Sequence, residues 1–185
     1  LDLTNNTDLY HFGCYDNDLT SLDVSNNPDL FHLECYDNDL TSLDLSNNLA
    51  LSKLYCNDND LTSLDISNNV ALNTLQCNDN DLTSLDVNNN VAITSLKCYD
   101  NKLTCLNVKN GNNLNLTYFD ATDNSNLSCI EVDDSTWAAD SLTQIDSAAS
   151  FSTNCNNFCS GRTYVPDDNF EQALIDLGYD TGPLN

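Results

Sequence analysis

A solenoid of stacked coils, with short parallel strands on one face and irregular or short extended returns on the other, is the fold class this sequence predicts. Three observations predict it. Cys14, Cys35, Cys56, Cys77 and Cys98 follow one another at steps of 21 residues. Apolar residues hold fixed places around each of them, and an asparagine recurs three residues after each cysteine. A fixed period of this size signals an array of stacked supersecondary units.

The unit Leu30 to Asn48 reads LFHLECYDNDLTSLDLSNN. Its Leu30, Leu33, Cys35, Asn38 and Leu40 match the leucine-rich-repeat pattern LxxLxLxxNxL, with cysteine in the place of the third leucine. Leu33 and Cys35 alternate with polar neighbours, as a short strand with one buried face requires. These strands are assigned to the concave face. Asn38 turns the chain inward, and its amide has donors and an acceptor for backbone groups that burial would leave unpaired. Asn17, Asn38, Asn59, Asn80, Asn101 and Asn124 form one such column. Leu43 and Leu45, either side of outward Asp44, are the inward pair of the convex return.

No unit buries its own apolar residues, so stability comes from stacking coils about 4.8 Å apart. The array spans 1–132 and opens in mid-repeat, since LDLTNN at Leu1 matches LDVSNN at Leu22; natural sequence is expected upstream. The step from Cys98 to its equivalent, Ala121, is 23 residues, through an insertion around Lys109 to Asn115. Leu116, Phe119, Ala121, Asn124, Leu127, Ile130 and Val132 build the last coil. Residues 133–162 form a C-terminal cap, with Trp137 in a short helix as a lid. In 163–185, Pro166 and Asp167 precede a helical run whose Phe170, Ala173, Leu174 and Leu177 share one face, with Asp168 and Glu171 as a starting box and Gly178 as its stop. This segment is expected to dock on the lid or to begin the cap of a further array.

Composition narrows the partners. The 185 residues are 40% hydrophobic, enough for a core, and carry a formal charge of −24. That field repels nucleic acid and anionic lipid. It leaves cations, cationic groups and neutral polar ligands such as carbohydrate. No apolar run approaches the roughly 20 residues that span a bilayer, so no membrane insertion is expected.

Units such as LSKLYCNDNDLTSLDISNN, at Leu51 to Asn69, resemble the internalin J-like secreted bacterial proteins, whose 21-residue leucine-rich repeats bear cysteines. The resemblance covers Leu1 to Val132. The tail motifs NLSCIEVDD (Asn126 to Asp134) and TYVPDDNFEQALIDLG (Thr163 to Gly178) look like cap segments of multi-array surface proteins. The resemblance implies a curved, right-handed solenoid, secreted or attached to a cell surface, used for adhesion or ligand binding. Dense aspartate columns and a different carboxyl cap depart from that pattern, so no particular ligand carries over.

The nine cysteines divide into two groups. The five in the ladder point inward as small apolar groups, and a straight column does not converge on a metal or cluster. Cys105, Cys129, Cys155 and Cys159 gather near the cap, where an oxidising exterior favours two disulfides. Three connectivities are open. Cys129 with Cys155, leaving Cys105 with Cys159, is preferred because it closes the lid over the last coil; Cys105 with Cys129 is the alternative.

Stacking also aligns acids. Asp16, Asp37, Asp58, Asp79 and Asp100 form one column, Asp18, Asp39, Asp60 and Asp81 a second, and Asp23, Asp44, Asp65 and Asp86 a third. Like charges about 4.8 Å apart repel by roughly 0.9 kcal/mol even in water. Calcium, a hard cation with oxygen ligands, is one candidate to offset this, with Asp16, Asp18, Asp37, Asp39, Asp58, Asp60, Asp79 and Asp81 as ligands. The alternative is that each aspartate caps its own turn while salt screens the rest. No cofactor is required on either reading.

Where repeats differ and face outward, recognition is expected. The candidate ligand-binding residues are Tyr15, His32, Glu34, Tyr36, Lys53, Tyr55, Gln76, Lys97 and Tyr99, combining flat aromatic faces with directional polar groups. His11 stacks above His32, but two ligands alone make a weak metal site. The chain has no HExxH, GxSxG or phosphate-cradling glycine loop, and repeated identical aspartates lack the asymmetry that separates an acid from a base. The sequence therefore predicts an extracellular, non-catalytic binding or adhesion module for a polysaccharide or surface protein. Its rival is a structural spacer with no ligand of its own. Nothing in the sequence fixes an oligomeric state.

Overall fold

The computed structural model describes residues 1–155 of the chain. The expected helix at 163–185, Cys159, and the end of the cap to residue 162 lie outside the described residues.

Three-residue strands begin each coil. β1 (His11–Gly13), β2 (His32–Glu34), β3 (Lys53–Tyr55), β4 (Thr74–Gln76), β6 (Ser95–Lys97) and β8 (Tyr118–Asp120) pair in parallel, in that order, as a six-stranded sheet. The register is one repeat per coil: His32 opposes Lys53, Lys53 opposes Thr74, and Thr74 opposes Ser95. Ser95 opposes Tyr118, so the insertion is absorbed without a register slip. A 3-10 turn at Asn113–Asn115 takes up the extra residues.

Alternation sorts the strand residues by face. Leu33, Leu54, Leu75 and Leu96 are wholly buried at the strand centres while their neighbours are half-exposed. Cys35, Cys56, Cys77 and Cys98 are buried and free. Leu43 and Leu45 are buried from the opposite side, as the sequence leads one to expect. Fully burying each leucine contributes about 1.5–3 kcal/mol, and the coil-to-coil repetition makes this one continuous core.

Two features go beyond the sequence reading. The return face becomes regular toward the C-terminal end, where β5 (Ser84–Asp86), β7 (Cys105–Asn107), β9 (Cys129–Glu131) and β10 (Ser150–Ser152) form a second, four-stranded parallel sheet. The cap is also part of the coil rather than only a lid on it. Its helix α1 (Ser135–Ser141) starts at Asp134, whose side chain accepts the N–H groups of Thr136 and Trp137. The chain then returns to pair Ile145 with Ala121, and β10 with β9. Asp146 accepts from the backbone N–H groups of Asp123 and Asn124, so its carboxylate replaces the backbone carbonyls that a further coil would offer them. Cys129 and Cys155 are joined by a disulfide, the preferred pairing, and Cys105 is also disulfide-bonded.

Candidate ligand-binding face

Two ladders of asparagine hold the face rigid. Asn59 donates from Nδ2 to the carbonyls of Cys35, Cys56 and Asn57, and its Oδ1 accepts the N–H of Leu40. Asn38, Asn80, Asn101 and Asn124 repeat this arrangement. Asn17, by contrast, is exposed, and its side chain bonds only to the carbonyls of Cys14 and Tyr15 in its own coil. The second ladder, Asn27, Asn48, Asn69 and Asn90, is completely buried on the return side. Asn48 donates to the carbonyls of Val24 and Asn27, Asn69 to Leu45 and Asn48, and Asn90 to Ile66 and Asn69. Sequence reasoning missed this column, although Asn recurs there at the same 21-residue step.

Between these ladders the outward strand residues stand in rows. All nine candidate residues lie on the six-stranded face or its Tyr15, Tyr36 and Tyr99 margin, and each is half-exposed or exposed. Adjacent coils bring their rings together. Tyr10 stacks on Phe31 with centroids 4.9 Å apart, His11 on His32 at 4.2 Å, and Tyr15 on Tyr36 at 4.7 Å. Tyr55 meets the His32 ring edge-on at 5.2 Å. Lys97 Nζ lies 5.3 Å from the centre of the Tyr118 ring. Partial burial, with neighbouring phenol and carboxylates, raises the pKa of Tyr36 and of Tyr99, so both phenols remain hydrogen-bond donors at neutral pH.

Charge on this face differs from the chain as a whole. Lys53 and Lys97, two of only five Lys and Arg residues, balance Glu34 and Asp120 along the strands. The acid lies along the rim.

The rim column has a backbone cause. Asp16, Asp37, Asp58, Asp79, Asp100 and Asp123 all have positive φ, between 48° and 57°. This left-handed conformation costs most residues about 1–2 kcal/mol and is tolerated by Asp and Asn, whose short side chains bond locally. In the third and fourth coils Asn57 and Asn78 donate to Asp58 and Asp79 at 2.7 Å, which moderates the stacked charge. Asp100 has a raised pKa, from desolvation first and then from Asp79 beside it. The return-side column is explained similarly. Asp23, Asp44, Asp65 and Asp86 each accept the N–H two residues ahead at 2.9 Å, closing an Asx turn. Among the described residues, the calcium candidates bring no three carboxylates within 4.8 Å of one another; the group that does meet that spacing is His11, His32 and Glu34.

No family model matches the chain, and no curated protein matches it. Solved structures do. The functional domain of internalin J (InlJ) from Listeria monocytogenes, described as including a cysteine ladder, is 28% identical with a TM-score of 0.60, covering 71% of this chain and 37% of that one. Internalin F (InlF) from the same species is 20% identical with a TM-score of 0.56, covering 81% of this chain and 45% of that one, which bears on the fold alone. The chain spans less than half the length of either structure. It is a leucine-rich-repeat solenoid with internalin J-like, cysteine-bearing coils.

Proposed function

We propose that this chain is a non-catalytic binding or adhesion module, working outside the cell, that presents its six-stranded face to a surface protein or polysaccharide. The observation that carries this reading is the contrast between faces. Inward positions repeat leucine, cysteine and asparagine, whereas the outward strand positions run His, Lys, Thr, Ser and Tyr in one row and Glu, Tyr, Gln, Lys and Asp in the next. A spacer needs no such variety.

Physical chemistry favours a neutral or mildly basic ligand. Stacked rings are preorganised apolar platforms, Lys53, Gln76 and Lys97 supply polar contacts, and the aspartate rim repels anions. The Cys129–Cys155 disulfide fits an oxidising compartment. Among the described residues no helix is long and apolar enough to cross a membrane.

The test is a paired variant, Tyr36→Ala with Tyr99→Ala, screened on glycan arrays and against extracellular protein libraries beside the unaltered chain. Specific binding that drops at least tenfold, with an unchanged circular dichroism spectrum, supports the reading. Absence of specific binding to both libraries favours the spacer. Calcium support of the rim is tested separately: a chelator should lower Tm beyond an ionic-strength control if the ion is bound.

A further inference from the structure

We propose that His11, His32 and Glu34 form a binding site for a divalent cation of the zinc type, clasping the first two coils together. His11 and His32 are register partners on β1 and β2, so stacking superimposes their rings at 4.2 Å and 11°. Glu34 lies two residues further along β2, on the same face. Its Oε1 is 3.1 Å from His32 Nε2 and 3.5 Å from His11 Nε2. One ligand atom from each of the three residues lies within 4.8 Å of the other two.

Two further observations point the same way. His32 Nε2 is buried yet makes no hydrogen bond, although the Glu34 carboxylate lies 3.1 Å away. A buried polar atom without a partner is costly, and a metal ion satisfies it. The register partner of Glu34 is Gly13, where later coils carry Tyr55, Gln76 or Lys97. Gly13 places no side chain beside the Glu34 carboxylate, and a Cβ there would already press on the Tyr15 ring at 3.3 Å. The edge of Tyr55 supports the His32 ring from the opposite coil.

The donor set selects the metal. Two imidazoles and one carboxylate suit zinc and its transition-metal neighbours, whereas calcium requires six to eight oxygens. Tetrahedral bonds of about 2.0–2.1 Å place ligand atoms roughly 3.3 Å apart, so closure needs a modest tilt of the stacked rings. Three protein ligands leave a fourth position for water or for a donor from a partner. The site stands whether or not the six-stranded face takes a macromolecular ligand, since metal binding is read directly.

The experiment titrates Co2+ into the whole chain at pH 7.5 with excess calcium present to occupy exposed carboxylates. The expected result is saturation at one ion per chain, with visible d–d absorption, displacement by Zn2+, and affinity at least tenfold weaker in His11→Ala and in Glu34→Gln. His11 is exposed, so its variant keeps the fold, and circular dichroism checks this. Lack of saturable binding, equal affinity in both variants, or a near-ultraviolet sulfur-to-cobalt band showing cysteine ligands would overturn the proposal.

Discussion

The side-chain oxygen of Asn59 accepts the backbone N–H of Leu40 at 2.9 Å, reaching back across nineteen residues into the preceding coil. The same amide donates to carbonyls of both coils, so one residue satisfies three buried backbone groups and a fourth that is partly buried. Asn59→Ala leaves them unpaired, at about 1–3 kcal/mol for each group that water cannot reach. We expect a loss of about 3 kcal/mol or more in urea unfolding. Asn69→Ala should cost less, because Asn69 serves only two buried carbonyls and its own Oδ1 is already without a partner. Equal losses would contradict the division of labour between the two ladders.

The positive φ at Asp58 sets a second expectation. Asp58→Gly removes both the conformational cost and a charge in the rim, so its Tm should match or exceed that of the unaltered chain at low salt. Asp58→Val, β-branched in a left-handed conformation, should lose about 1–2 kcal/mol. If the valine variant were as stable as the glycine one, the backbone reason for this column would fail.

How much of this was legible in advance follows from the same residues. Periodicity placed Leu54, Cys56 and Asn59 correctly because each inward position repeats at a fixed step. The Cys129–Cys155 pairing was legible as the bond that closes the cap. Less visible was anything set by dihedral angle or by contact between coils. The rim aspartates are legible as a column, but the positive φ they share leaves no mark in the sequence beyond the choice of Asp. Glu34 joined the two histidines only once register brought β1 against β2. The four-stranded return sheet arises where neighbouring returns align, and no residue of β5 or β7 announces it.

Acidity separates two carboxylates of opposite sign. The Asp44 pKa is lowered by hydrogen bonds from the Ser46 backbone and side chain, so its contribution is present above the ordinary carboxylate pKa and lost as pH falls through the lower folded value. The Asp100 pKa is raised, so its carboxylate opposes folding as pH rises through that value. Asp44→Asn should therefore lower Tm at pH 7, and Asp100→Asn should raise it, with both differences shrinking toward pH 3. Scanning calorimetry at the two pH values distinguishes this from a uniform charge effect, which would shift both variants alike.

Burial pushes the thiol pKa of Cys56, Cys77 and Cys98 far up, and that of the half-buried Cys14 less far. The thiolate is the reactive species. Alkylation with iodoacetamide at pH 8, followed by peptide mass spectrometry, should label Cys14 first and leave the other three unmodified until the chain unfolds. Labelling of Cys56 at the rate of an exposed thiol would place it outside the core.

All of these expectations depend on each side chain lying over its equivalent one repeat earlier, and disulfide trapping tests that directly. Lys53 and Thr74 are register partners at the outward edge of β3 and β4, while Ser95 lies one strand further on. Mild oxidation of the variant carrying Lys53→Cys and Thr74→Cys should give a nearly complete intramolecular bridge, seen by mass spectrometry. The variant carrying Lys53→Cys and Ser95→Cys, two coils apart, should give none. A bridge in the second variant, or its absence in the first, would contradict the stacked coil.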